Sequence, residues 1–276
     1  MFNPLTSRCE RIFWAMLGLG SSLVQGSSYS ETLWTNTHSA FLDGTNDFFD
    51  TNYSTNAVWR TSFTVMGHFW MLDGQPGTAQ TLFGLNAGGA GTPDEVHCFV
   101  DTDGTVVLRH VSNGDSATTT TDAAVFANGS TLGFHHIAVT VQKQGTGSLP
   151  TLYKIYKDGS EVASTTANAM TAENHLLIDL DATTLHFGAK GISGSAPTGH
   201  YGGFMDELAL VQSTLSATAV ADVYNSDSAI DLTLPLYTGS NKLLLYYHLD
   251  NNSDDEKGTS DGTMTGAIFS TFAVAP

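Results

Sequence analysis

Phe41-Leu-Asp-Gly-Thr-Asn-Asp-Phe-Phe49 decides how this chain is read, together with its counterpart Gly202-Gly-Phe-Met-Asp-Glu-Leu-Ala-Leu210. Each is a strand-like apolar run broken at an acidic corner, Asp43-Gly44 in the first and Asp206-Glu207 in the second. Glycine and short carboxylates let a chain bend sharply. Working outward, short apolar or alternating segments recur at intervals of roughly 8–15 residues, bounded by turn residues, which is the pattern of a sandwich.

The expected strands are residues 61–70, 80–84, 134–141, 151–157, 161–164, 184–188 and 205–211, with 95–101 and 105–111 paired as a hairpin around Thr102-Asp103-Gly104. Residues 215–224 form the one expected core helix, with Leu215, Val220, Val223 and Tyr224 on its apolar side. Residues 242–249, rich in Leu and Tyr, read as a strand that closes the same sandwich, before an acidic loop at 250–261. The expected fold is therefore all-β, a two-sheet antiparallel jelly roll over residues 37–276, behind an arm at residues 1–36. No internal repeat is evident.

The 276 residues suffice for one large β domain with a substantial core. Only 13% are charged, and 27 acids against 10 bases give a formal net charge of −17. That balance excludes a nucleic-acid backbone and an anionic membrane surface as partners, because nothing here could neutralise either. An acidic surface of this kind otherwise serves solubility. Cys9 and Cys98 are the two cysteines and lie in no Cys/His cluster, so neither a zinc site nor a disulfide is expected. Cys98, within Val96-His-Cys-Phe-Val100, reads as a buried free thiol.

The arm has two readings. Residues 12–24 are apolar behind Arg8 and Arg11, like the core of a signal peptide, but Glu10 opposes that reading. The stretch is too short and glycine-rich to span a bilayer. Leu5, Cys9, Ile12, Phe13, Met16 and Leu17 instead recur at helical spacing, with Ser7-Arg-Cys-Glu10 as a capping box and Gly18 and Gly20 as a stop. Such a helix either packs on its own domain or anchors the protein to neighbours through Ile12, Phe13, Met16 and Leu17.

Phe41–Phe48, the Ser62–Trp70 strand and Phe134-His-His-Ile-Ala-Val-Thr140 resemble, in order and spacing, the laminin-G-like, concanavalin-A-type jelly rolls. So do Ile155-Tyr-Lys-Asp-Gly159, Gly203-Phe-Met-Asp-Glu-Leu208 and the segment from Leu215 to Tyr224. The resemblance covers about residues 38 to 225. Residues 73–84, Asp122-Ala-Ala-Val-Phe126 and the tail from Leu245 to Thr265 are similar to sandwiches in structural proteins of marine tailed phages. The Tyr-His-Leu-Asp segment that precedes the first strand in many cellular relatives ends this chain, a permuted order that surface termini allow.

The chain lacks the Glu-x-Asp-x-x-Glu run of laminarinase-type enzymes, and also Gly-x-Ser-x-Gly and nucleotide fingerprints, so no enzyme activity is expected. Adjacent Asp206-Glu207 and His135-His136 should point to opposite faces of their strands. The resemblance implies a structural calcium, for which Asp43, Asp47, Asp206 and Asp250 are the candidates, although Asp43 and Asp206 would equally cap turns. It also implies carbohydrate binding, for which Tyr53, Trp59, His200 and Tyr201 lie near expected loops. Two functions follow. One is a virion structural subunit, on a capsid or fibre, joined to other virion proteins and to itself as a trimer through the arm. The other is a host-recognition or secreted adhesin that binds a cell-surface glycan.

Overall fold

The computed structural model describes residues 36–89, 93–127, 133–145, 149–171, 173, 178–180, 183–225, 231–233 and 242–274. All belong to one compact unit, Trp34–Pro276. The helix expected around Ile12, Phe13, Met16 and Leu17 lies outside the described residues.

In chain order the elements are β1 (Ser39–Asp43), β2 (Phe48–Asp50), α1 (Asn56–Trp59), β3 (Phe63–Met71), β4 (Gln80–Asn86), β5 (Glu95–Val100) and β6 (Val106–Ser112). There follow β7 (Asp115–Thr120), β8 (His135–Lys143), β9 (Pro150–Lys157), β10 (Ser160–Thr171), β11 (His186–Phe187), β12 (Lys190–Ile192) and β13 (Ser195–Thr198). The remaining elements are β14 (Gly202–Val211), α2 (Ala217–Tyr224), β15 (Leu243–Tyr247), β16 (Thr263–Thr265) and β17 (Ile268–Ser270).

One sheet runs β10-β9-β8-β3-β14-β1-β17, with β15 also paired to β14. The other runs β16-β2-β11-β4-β5-β6-β7, with β12 joining β4 in parallel and β13 pairing with β12. The first acidic corner carries the chain from one sheet to the other, since β1 belongs to the first and β2 to the second. Gly44 takes φ +81°, the Asp43 carboxylate accepts Thr45 N–H at 2.7 Å, and Asp47 accepts Asp43 N–H at 2.9 Å. A side chain with a Cβ is strained at that φ, so glycine is the residue for the bend.

The second acidic corner is not a break. β14 continues through it to Val211, with a bulge against β3 between Asp206 and Ala209 and with Glu207 at φ +53°. One edge of β14 changes partner there: Gly202–Met205 pair with β1 and Leu208–Val211 with β15. Asp206 and Glu207 thus occupy the seam between two strands, and the bulge suspends the alternation that would have kept them apart.

Alternate residues of both sheets fill the inner core, among them Phe49, Phe63, Phe69, Phe83, Phe187, Tyr153 and Tyr247. Burying each such side chain contributes about 1.5–3 kcal/mol. Cys98 is a buried free thiol in this layer. The opposite face of the first sheet is covered by α2, whose Ala219, Val220 and Val223 pack on Met66, Ala138, Ala209 and Tyr246. Ser216 caps the start of α2 by accepting Ala219 N–H at 3.1 Å, and Asn225 in the left-handed region ends it.

Candidate functional site

Phe48 and Phe49 are neighbours on β2, so one must leave the core. Phe49 is fully buried while Phe48 points to the outer side of the second sheet. There its ring stacks on His186 of β11, with centroids 4.9 Å apart and planes 7° from parallel. Gly191 makes room for the imidazole: a Cβ there would lie 3.1 Å from the His186 ring and 2.9 Å from Thr184 O. Asp50 stands opposite His186 across the β2–β11 ladder, its Oδ2 3.4 Å from Nε2. Burial works to raise the Asp50 carboxyl, but hydrogen bonds from His186, Asn52 N–H and Thr184 outweigh it and hold the group below its ordinary value. Asp50 is therefore an anionic acceptor at neutral pH.

These groups floor an open depression of about 490 Å³ whose rim carries Thr184, Ser193 and Ser195. Beside it the sheet presents a charged cluster. The buried Glu95 carboxylate takes Asn86 Nδ2 at 2.8 Å and Lys190 Nζ at 3.1 Å, with Arg109 Nε at 3.5 Å. His97 is pushed down to about 3 by burial and by the Lys190 and Arg109 charges, so its ring is neutral. Gly84 keeps this region open, since a Cβ there would lie 3.0 Å from His97 and 3.3 Å from Lys190.

Of the residues expected to meet a sugar, His200 lies beside this site but does not line the depression. Its ring is 6.4 Å from Phe48 and its Nδ1 3.2 Å from Asp47 O. Tyr53 is half-buried against the core, next to Ser54 of the depression. Trp59 and Tyr201 are corrections: both are fully buried. Trp59 meets Phe63 edge-on at 5.1 Å, and Tyr201 meets Phe69 edge-on at 6.0 Å while donating its hydroxyl to Phe204 O. Neither ring can reach a ligand. Phe48, Asp50 and His186 were missed as site residues, although the Phe48-Phe49 pair already required one outward ring.

The four carboxylates expected to share calcium are not gathered. Asp43 pairs with Gly202, so four residues of β14, about 13 Å, separate it from Asp206. Asp206 Oδ2 instead accepts Asn36 Nδ2 at 2.8 Å and Val274 N–H at 3.2 Å, and Asp250 Oδ1 accepts the N–H groups of Thr37 and His38. Among the described residues no group of three or more His, Cys, Asp or Glu is set to hold a metal ion. Burial, and then the Glu207 charge, push the Asp206 carboxyl well above its usual range. Burial does the same to Glu207, against the hydrogen bond it accepts from Tyr246.

No family model and no curated protein matches the chain. Solved structures do. A Bacteroides ovatus protein provisionally described as carbohydrate-binding superposes with TM-score 0.58 at 16% identity, covering 88% of this chain and 62% of that one, so the chain spans under two thirds of that protein. The CBM40 of Ruminococcus gnavus IT-sialidase, bound to alpha2,3 sialyllactose, gives 0.52 at 14% identity over 69% of this chain and 99% of that one. A heptameric SAP-like pentraxin from Limulus polyphemus gives 0.50 at 11% identity over 87% and 96%. The fold is thus an antiparallel two-sheet jelly-roll sandwich.

Proposed function

We propose that the protein binds carbohydrate on the outer side of its second sheet, in the depression floored by Phe48 and His186. The observation that carries this reading is the parallel Phe48–His186 stack beside an ionised Asp50. Flat rings match the apolar face of a pyranose, and a carboxylate accepts its hydroxyl protons. The names of the neighbouring structures, a carbohydrate-binding protein and a sialyllactose-bound module, support the same reading.

Binding is favoured over hydrolysis by two features. Asp50 is the one carboxylate among the described residues lining the depression, whereas glycosidases use a pair. Thr184 Oγ1, at 3.1 Å, and Asp50 approach the same imidazole nitrogen, so His186 cannot relay a proton between them as a triad histidine does. A glycan array run on the wild type and on Phe48→Ala tests the proposal. Selective binding lost in the variant supports it; equal binding by both moves the site elsewhere.

A particle-bound structural role is a finer proposal that rests on the sequence resemblance to phage proteins, whereas a structural calcium rests on the resemblance to laminin-G-like jelly rolls alone, since its four candidate carboxylates are not gathered. Detection of the chain in purified virions would support the first.

A further inference from the structure

A second depression, of about 480 Å³, opens at one end of the first sheet, where β3 and β15 begin and β8 and β14 end. Every described residue that lines it carries a polar side chain, including Ser62, Gln142, Lys143, Gln212 and Lys242, and none of these carries a carboxylate. That composition is unusual ground for a chain with 27 acids and 10 bases. Lys154 and Lys190 are engaged by Glu161 and Glu95, and Lys157 by Val125 O. Neither Lys143 nor Lys242 has a side-chain partner among the described residues, and both reach this hollow. Two unneutralised ammonium groups facing one polar hollow favour an anion.

The walls are fixed before any ligand arrives. Lys143 N–H donates to Ser62 Oγ at 3.1 Å, Gln212 N–H to Lys242 O at 2.8 Å, Thr214 Oγ1 to Val141 O at 3.1 Å and Thr64 Oγ1 to Ser213 O at 2.8 Å. Ser62 keeps its own O–H proton to donate, and the Gln142 and Gln212 amides add neutral donors. The volume exceeds what a single small ion fills and suits a sugar ring that carries a charged group.

We propose that this depression is a second ligand site, which takes the carboxylate or sulfate of an acidic sugar between Lys143 and Lys242 while the Gln and Ser side chains bond its hydroxyls. The choice of a sugar to carry the anion rests on the carbohydrate reading above; the cationic hollow itself does not. The two depressions are built from different sheets, so their failures separate.

The test is a titration of the isotope-labelled full chain, followed by amide chemical shifts, with glucuronate, glucose and inorganic sulfate in separate arms. Glucuronate should shift the amides of Ser62, Lys143, Gln212 and Thr214, and glucose should leave them still. Lys143→Gln with Lys242→Gln should weaken glucuronate at these amides by about tenfold or more, Lys143→Arg should retain it, and Phe48→Ala should change nothing here. Shifts with sulfate alone would mean an adventitious ion and overturn the proposal. Shifts confined to the surroundings of Phe48 would overturn it and leave the first site standing. No shift with glucuronate would overturn it as well, while the first site stands or falls on the glycan array.

Discussion

His68 on β3 sits directly opposite His136 on β8, with ring centroids 4.9 Å apart, and no hydrogen bond reaches any of their four ring nitrogens among the described residues. Both rings are buried beneath the α2 side of the first sheet, with Tyr224 over His136 and Asp206 across the ladder from His68. Burial, then the neighbouring His136, drives His68 well below its ordinary value. Burial also drives His136 down to about 4, against the opposing pull of Asp158.

A base whose folded value lies below its unfolded value stabilises fully above the unfolded value, and that stability is lost as pH falls through the interval. Stability should therefore drop between pH 7 and pH 5 by about 2 kcal/mol for His136, with His68 acting in the same direction. The raised Asp206 and Glu207 carboxyls slope the other way, contributing less as pH rises. Denaturant unfolding at the two pH values, on the wild type and on His68→Leu/His136→Leu, isolates the imidazoles. If both proteins lose the same stability on acidification, these rings are not the cause.

Asp206 ties the chain's entry into the sandwich to its exit, because one carboxylate oxygen holds both Asn36 and Val274. Asp206→Leu leaves the buried Asn36 amide and the backbone N–H groups of Val274 and Glu207 without this acceptor, at about 1–3 kcal/mol each. Asp206→Asn keeps an acceptor and relieves the buried charge, so it should cost far less. Hydrogen exchange at Val274 should rise sharply in the leucine variant and little in the asparagine one. Equal exchange in the two would show that the carboxylate does not hold the end of the chain.

The large-residue strands were legible in the sequence because apolar periodicity and turn chemistry agreed. At Asp158-Gly159 both residues adopt positive φ, as a two-residue hairpin turn requires. β7 was not legible: Asp115-Ser-Ala-Thr-Thr-Thr120 turns only Ala117 and Thr119 inward, and its place is set by the ladder from β6. β10 runs on to Thr171, past the expected 164, through Thr165-Thr-Ala-Asn-Ala-Met-Thr171, and is placed by its ladder to β9. Trp59 and Tyr201 sit beside turns yet face the core, which only tertiary packing decides. The bulge at Glu207 was hidden because Asp206-Glu207 reads as a break in the strand, whereas its pairing with β3 carries the strand through with one extra residue.

Phe272 covers the outer face of the first sheet, with its ring 4.1 Å from Trp70, 5.0 Å from Phe204 and 5.4 Å from Phe134. It is still 38% exposed, so Phe272→Ala should cost about 1–3 kcal/mol rather than the full core penalty. Trp70 would become wetter, and near-ultraviolet circular dichroism should lose aromatic signal. A variant with unchanged stability and spectrum would show that this ring is ornamental to the sheet.

The C-terminal segment supplies strands to both sheets. β15 extends β14, β16 extends β2, and β17 extends β1. It also buries Leu243, Leu245, Tyr246, Tyr247 and Leu249, and the Tyr247 hydroxyl reaches Thr51 O at 3.1 Å and Ser260 O at 2.6 Å. Five such side chains contribute about 10 kcal/mol of burial, comparable to the whole net stability of a typical domain. Their removal would also strip the β1 and β14 edges of partners and leave the Asp206 seam open to water. Deleting residues 243–276 should therefore abolish cooperative thermal unfolding and expose surface that binds hydrophobic dyes. A truncated protein that melts in one sharp transition near the intact chain's midpoint would mean that the remaining strands suffice as a core.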